Sequence, residues 1–356
     1  MSGHVIHTLD KLAGPSGRGW SVAEQAQQQA QAGWKVTVLG TEIDPDMTAL
    51  APGVRWVVHP QLRPHRDPSQ LQAYAAWLQD QLKELEPGVL NVHEGADLLA
   101  ASLLQVKPLV YSAHSQPSYS LAHMPQKQVA LALGALDGLL TFGHQAARAL
   151  AQITELPANQ GVLYPTFDSL QLPTRPASWQ GSPQLVCVGR LDANKNQQLA
   201  VRALSELQAK LPGVQLALIG APHLQDQLLD LARQLRVDDR LQMLGHRQDV
   251  HHLLAGADVL VMPSYTEGGP RSALESMLLG VPVAGSLALS EILGGGGHGE
   301  LFEADDVSGC AAATVRALGR SEHQLRQAQE WARQIGDPQR NLQVSLKVLK
   351  AALDCH

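Results

Sequence analysis

The chain has 356 residues, 44% of them apolar, 4% aromatic and 17% charged, which is enough for two sizeable cores and too apolar for a disordered protein. Its 27 basic and 33 acidic residues give a formal net charge of -6, so it has no chain-wide positive field, and generalised binding to nucleic acid or anionic membranes is disfavoured. Cys187, Cys310 and Cys355 lie far apart with no Cys-x-x-Cys spacing; neither a disulfide framework nor a zinc site is expected, and a cytoplasmic, reducing location fits.

No apolar run reaches the roughly 18 residues that span a bilayer. The N-terminal stretch has no basic segment followed by a long apolar one, so it is not read as a signal peptide, and nothing in the sequence supports a peripheral membrane contact. Short β-branched runs alternate with longer helical patterns, the signature of βαβ units and a parallel sheet. Val5–Leu9 reads as a strand, Gly14–Gly19 as a glycine-rich turn, Ser21–Ala32 as a helix closed by Gly33, and Trp34–Leu39 as the next strand. Further strands are expected near 54–58, 89–92, 109–112, 138–142 and 161–163.

Pro165–Pro183 is proline-rich with few branched residues and reads as a linker. A second α/β series follows, with strands near 184–188, 214–219, 240–244, 258–262 and 282–284, and a purely helical stretch beyond Asp305. Two doubly wound α/β domains facing each other leave a cleft. Ligands of such sheets bind outside the carboxyl ends of the strands, so the chemistry belongs in the loops that follow them.

Strand 184–188 runs into Gly189, Arg190, Leu191, Asp192, Ala193, Asn194, Lys195 and Asn196. Two permanent cations at a strand end beside a helix start suit a phosphate or diphosphate; an Arg190–Asp192 surface pair with a solvated Lys195 is the alternative. Strand 258–262 leads through Glu267, Gly268, Gly269 and Pro270 into a helix. The glycines bare their backbone N–H groups and proline suits a first helical turn, which makes an anion cradle. Glu267 and Glu275, seven residues apart, suit sugar or ribose hydroxyls rather than phosphate. The alternatives are an i,i+4 pair with Arg271 for Glu275 and a favourable charge at a helix start for Glu267.

Six features occur in order: Val188–Asn196, Leu218–Gly220, Leu244–Gly245, Ala257–Ser264, Glu267–Gly268 with Glu275, and Gly280–Val283. Together they closely resemble the donor half of GT-B retaining glycosyltransferases of family 4. The resemblance implies residues 1–165 as an acceptor-binding domain, a linker at 166–183, a nucleotide-sugar domain at 184–335, and a C-terminal helix, 336–356, returning to the first domain. Arg190 and Lys195 would grip the donor diphosphate. Glu267 would approach the donor sugar and Glu275 the ribose, with Gly268, Gly269 and the neighbours of Pro270 facing phosphate and sugar, and backbone near Gly189 and Gly220 close to the nucleotide.

In the first half, Gly14–Gly19 occupies the place of the family's first glycine loop without its adjacent glycine pair, so Gly17 is expected near the phosphates. Arg18 is assigned to the diphosphate or an acidic acceptor, or else to the surface. His93 and Glu94 resemble the family's V-H-x-H segment. His114, after the next strand, resembles the histidine that meets the transferred sugar, and it is preferred to His93 for the site. Tyr164–Asp168 stands where the family often has P-N-G-V-D.

The resemblance implies front-face transfer from a nucleoside-diphosphate sugar, UDP ahead of GDP, to a hydroxyl on a glycan, lipid-linked or small-molecule acceptor. The leaving phosphate takes the acceptor proton, and no cofactor or metal is required. Asp44-Pro45-Asp46 has the form of a cation-binding triplet but lies far in sequence from the diphosphate residues and reads as a turn. The rivals are a non-catalytic sugar-nucleotide-binding subunit and an NAD(P)-dependent oxidoreductase. The latter is disfavoured because the first glycines are spaced G-x-x-G-x-G rather than G-x-G-x-x-G.

Overall fold

The computed structural model describes residues 3–12, 17–43, 51–59, 62, 67–166, 179 and 182–356. Asp44, Pro45 and Asp46, most of the linker, Phe167 and Asp168, and residues 13–16 of the glycine turn lie outside them. The chain divides into two compact units, residues 1–166 with 338–356, and residues 167–337.

Unit 1 is built on a seven-stranded parallel sheet in the order β3-β2-β1-β4-β5-β6-β7. The strands are β1 (His4–Leu12), β2 (Lys35–Ile43), β3 (Arg55–Val58), β4 (Val89–Val92), β5 (Leu109–Ala113), β6 (Gly138–Phe142) and β7 (Gln160–Leu163). β4, β5 and β6 are buried at every position, as expected for parallel strands covered by helices on both faces. Those helices are α1 (Gly17–Gln31), α2 (Leu71–Glu84), α3 (Gly95–Leu103), α4 (Pro117–Ser120), α5 (Gln126–Gly134) and α6 (His144–Ala151). Gly33 follows α1 with φ +84°, the left-handed turn that lets the chain reverse into β2.

The first turn differs from expectation. β1 runs on to Leu12, and α1 begins at Gly17 rather than Ser21, so Gly17, Arg18 and Gly19 lie in the opening turn of a helix instead of in a loop. The hydrogen-bonded ladder with β2 continues through Lys11 and Leu12, which leaves less chain for a turn than the glycines suggested.

Unit 2 has a six-stranded parallel sheet ordered β10-β9-β8-β11-β12-β13. Its strands are β8 (Gln184–Val188), β9 (Gln215–Ile219), β10 (Leu241–Gly245), β11 (Val259–Met262), β12 (Val283–Ser286) and β13 (Glu300–Phe302), the last absent from the sequence reading. Its helices are α7 (Gln197–Leu207), α8 (Gln225–Leu235), α9 (Val250–Ala255), α10 (Arg271–Leu278), α11 (Val307–Leu318) and α12 (Glu322–Ile335). In both sheets the strand order reverses at the first strand, between β1 and β4 and between β8 and β11. The loops after those strands are where a doubly wound sheet presents a ligand site.

The last helix, α13 (Pro338–Asp354), belongs to unit 1. Asn341 Nδ2 donates to Tyr164 O at 2.8 Å, and Asn159 Nδ2 donates to Val348 O at 2.9 Å. Val348, Leu349 and Ala352 complete the apolar layer behind Val110, Leu140 and Phe142. No described helix is long and apolar enough to cross a membrane.

Candidate active site

In unit 2 the site grows from the close approach of β8 and β9. A Cβ on Gly220 would stand 1.8 Å from Gly189 O, so the two strand ends meet only because a glycine is there. Leu191 N then donates to Ala221 O at 3.0 Å, turning the chain into the Arg190–Asn196 loop.

Two asparagines in that loop fasten it to the loop after β11. Asn194 Oδ1 accepts from the backbone N–H and hydroxyl of Thr266 at 3.2 and 2.8 Å, and its Nδ2 donates to Thr266 O at 3.1 Å. Asn196, left-handed at φ +51°, donates to Pro263 O at 3.2 Å and Ala304 O at 2.8 Å. Asn196 was read only as the last residue of the Val188–Asn196 stretch and Asn194 was given no role; the backbone groups they satisfy lie 67 to 108 positions away.

This fastening brings Lys195 to Glu267. Lys195 Nζ lies 2.7 and 2.9 Å from the two carboxylate oxygens, with the side chains 21% and 7% exposed. The solvated Lys195 weighed from sequence is therefore not what the fold contains. Arg190 pairs with Asp192 at 3.0 Å and is 45% exposed, a pair of the kind worth under about 1 kcal/mol and readily exchanged for a stronger anion.

Gly268 and Gly269 form a half-buried bend. Pro270 is buried and stands at the cap one residue before α10, its carbonyl accepting from Ala273 N at 3.1 Å. Glu275 is buried on α10, its Oε1 accepting from Arg271 Nε at 2.8 Å and from His251 Nε2 of α9 at 3.1 Å. Burial pushes this carboxyl up, but the His251 hydrogen bond and the Arg271 charge outweigh it, and the group is held below the usual range. The Arg271 pair weighed from sequence is present, and His251, missed there, shares it.

In unit 1 the loops after β4 and β5 gather His93, His114 and Arg18. Arg18 projects from the first turn of α1 to form an ion pair with Glu94, both side chains largely buried. It is thus neither a surface arginine nor part of a turn. His93 has both ring nitrogens engaged, with His7 Nδ1 and His114 Nε2, each at 2.8 Å. His7, on β1, was not read as a site residue; its partner strand β4 places Asn91 beside it in register. Burial is the main cause holding all three imidazoles neutral, with His7 lowered to about 4 and His93 and His114 well below the ordinary value. The described His, Cys, Asp and Glu residues form no group of three or more arranged to hold a metal ion.

Residues 15–166 match the family described as Glycosyltransferase Family 4, and residues 182–320 match Glycosyl transferases group 1. A glycogen synthase of Mycobacterium tuberculosis is 35% identical over 142 residues, 39% of this chain and 34% of that protein, so the chain spans about a third of that relative's length. A D-inositol 3-phosphate glycosyltransferase of Mycobacterium sp. (strain JLS) is 26% identical over 352 residues, 86% of this chain and 79% of that protein. In fold, HepE of Anabaena, solved with UDP and glucose, superposes with a TM-score of 0.79 at 18% identity, covering 98% of this chain and 100% of its own. With both halves matched in the expected order and the fold shared end to end, the chain belongs to the GT-B glycosyltransferases of family 4.

Proposed function

We propose that the protein is a retaining glycosyltransferase that moves a sugar from a nucleoside-diphosphate sugar, UDP ahead of GDP, to an acceptor hydroxyl. The observation that carries this reading is the Lys195–Glu267 contact, which joins the loop after β8 to the loop after β11 at the reversal point of the sheet. It sets a cation for the diphosphate against a carboxylate that accepts from sugar hydroxyls. The match to HepE, a protein solved with UDP and glucose, supports the choice of donor.

In this reading Arg190 and Lys195 stabilise negative charge that grows on the leaving diphosphate, and each charge-assisted contact contributes roughly 1.5 to 3 kcal/mol. The amides around Gly268 and Gly269 and the start of α10 add to them. Glu275, its Oε1 already fixed by Arg271 and His251, takes the ribose. Gly17, Gly189 and Gly220 allow close approach of backbone to the nucleotide. The departing phosphate accepts the acceptor proton, so the reading requires neither a protein nucleophile nor a metal. Residues 1–165 bind the acceptor, a glycan, a lipid-linked sugar or a small molecule, and three free cysteines suit the cytoplasm.

The test is a thermal-shift screen of UDP, GDP and their sugars, followed by proton NMR of the product formed with the best donor. Stabilisation by a nucleoside diphosphate and retention of the anomeric configuration are expected. Stabilisation by NAD(P)H alone, or an inverted product, would overturn the reading.

A further inference from the structure

We propose that His7 and His93 are positioning residues that hold His114 in a single neutral tautomer, with its proton on Nε2 and an unprotonated Nδ1 at the open end of the chain to accept a hydrogen bond from a ligand hydroxyl. The identity of the ligand rests on the glycosyltransferase reading; the tautomer does not.

The argument is an accounting of protons. A neutral imidazole carries one N–H and one lone pair, so fixing one nitrogen fixes the other. Gln29 Oε1 lies 2.7 Å from His7 Nε2, while Gln29 Nε2 donates to Ser345 Oγ of α13 at 3.0 Å. His7 therefore carries its proton on Nε2, and its Nδ1 is an acceptor. That Nδ1 receives His93 Nε2–H at 2.8 Å and Asn91 Nδ2–H at 3.3 Å, and Asn91 is oriented by the Ser112 hydroxyl, which donates to its Oδ1 at 2.8 Å. His93 Nδ1 in turn receives His114 Nε2–H at 2.8 Å. What remains at the end is His114 Nδ1 with its lone pair, on a half-buried residue just beyond β5. Reversing the chain would require the Gln29 and Asn91 amides to turn together.

The same chain argues against a proton relay. Its inner end is the Gln29 amide, which cannot take up a proton, so a proton arriving at His114 has no exit. The charged group acting on His93 and His114 is Arg18, itself paired with Glu94, and it lowers both. Phe142 stacks on His114 with ring centroids 4.2 Å apart and an interplanar angle of 22°, which fixes the plane of the His114 ring. An unprotonated nitrogen in this position repels a phosphate or carboxylate oxygen and selects a group that carries a hydrogen. His114 thus distinguishes a sugar hydroxyl from the anionic parts of a ligand.

Two-bond proton–nitrogen correlation spectra of 15N-histidine-labelled protein, assigned with His7→Phe, His93→Phe and His114→Phe, test the tautomer without any ligand. The expected result is three Nε2–H tautomers that do not titrate between about pH 5 and 8. In the double variant Gln29→Leu, Asn91→Leu, which removes both amides that fix His7, His114 should become a mixture of tautomers. A wild-type His114 with its proton on Nδ1, a mixture, or titration near 6.5 would overturn the proposal. For a sugar donor that turns over, replacing each hydroxyl in turn by fluorine should reveal one position whose kcat/KM falls about tenfold or more in wild type and no further in His114→Phe. No such position would overturn the hydroxyl contact. Correct tautomers without any glycosyl transfer would instead sink the functional reading and leave the tautomer assignment standing.

Discussion

Lys195 Nζ bridges both carboxylate oxygens of Glu267, at 2.7 and 2.9 Å, across 72 positions of sequence. A cation neutralised in this way is held in place without ligand, and in the proposed reading the diphosphate shares it with the carboxylate. Lys195→Ala should lower kcat/KM by about 10² or more, as for loss of one preorganised donor to a developing anion. Steady-state kinetics with near-normal turnover would reject the role.

Glu275 keeps its charge despite burial because His251 and Arg271 both reach Oε1. Glu275→Gln should raise the donor Kd roughly 10- to 100-fold, the worth of one hydrogen bond to a charged group, with a smaller effect on kcat. Titration calorimetry with the nucleoside diphosphate checks this, and an unchanged Kd would remove Glu275 from the ribose.

Gly220→Ala would place a methyl group 1.8 Å from Gly189 O. The β8 and β9 ends must then separate, at a cost of about 2 to 3 kcal/mol. Urea unfolding should show the loss, and an unchanged midpoint would mean that the strand ends have room to spare.

The buried histidines make stability depend on acid. His7 is lowered from 6.5 to about 4 in the fold by desolvation, so below 6.5 the unfolded chain binds a proton that the native chain does not. Stability is therefore full above 6.5 and falls as pH drops toward 4, by roughly 3 kcal/mol for a shift of this size. Melting curves of His7→Phe across this range should be flatter than those of wild type; parallel curves would refute the buried neutral ring.

Asp97 works in the opposite sense. It is fully buried on α3, accepts the Tyr74 hydroxyl at 2.5 Å, and burial pushes its carboxyl from 3.8 up to about 7. The native chain holds a proton that the unfolded chain releases, so this group costs stability as pH rises from about 4 to 7. The melting temperature of Asp97→Asn relative to wild type should climb between about pH 5 and pH 8, and a constant difference would contradict the raised value.

Where burial on both faces dictates a continuous apolar run, sequence and structure coincide: β4, β6 and β8 stand at Val89–Val92, Gly138–Phe142 and Gln184–Val188. β13 escaped notice because three residues, one of them Glu300, give no period to read. The start of α1 was obscured by Gly17 and Gly19, whose low helix propensity argues for a turn, while the ladder of β1 with β2 runs on to Leu12 and the helix begins at Gly17. Arg190, Lys195, Glu267 and Glu275 were picked out by their place at and beyond the ends of two strands and then by the resemblance, not by periodicity. His7 was not, since strand order decides that β1 and β4 are neighbours, and a run such as Val5–Leu9 carries no mark of its neighbour. Asn194 and Asn196 were hidden for a similar reason: their partners, Thr266, Pro263 and Ala304, are distant in sequence.

The return of α13 to unit 1 also has a kinetic side. During synthesis the seven strands of that sheet leave the ribosome early, but the helix that covers Val110, Leu140 and Phe142 and gives Gln29 its Ser345 partner is made only after all of unit 2. An apolar sheet face must wait through some 170 residues of translation, several seconds to half a minute at ordinary elongation rates. The first half of the chain is thus obliged to remain unfinished, and in need of protection, until the last helix arrives.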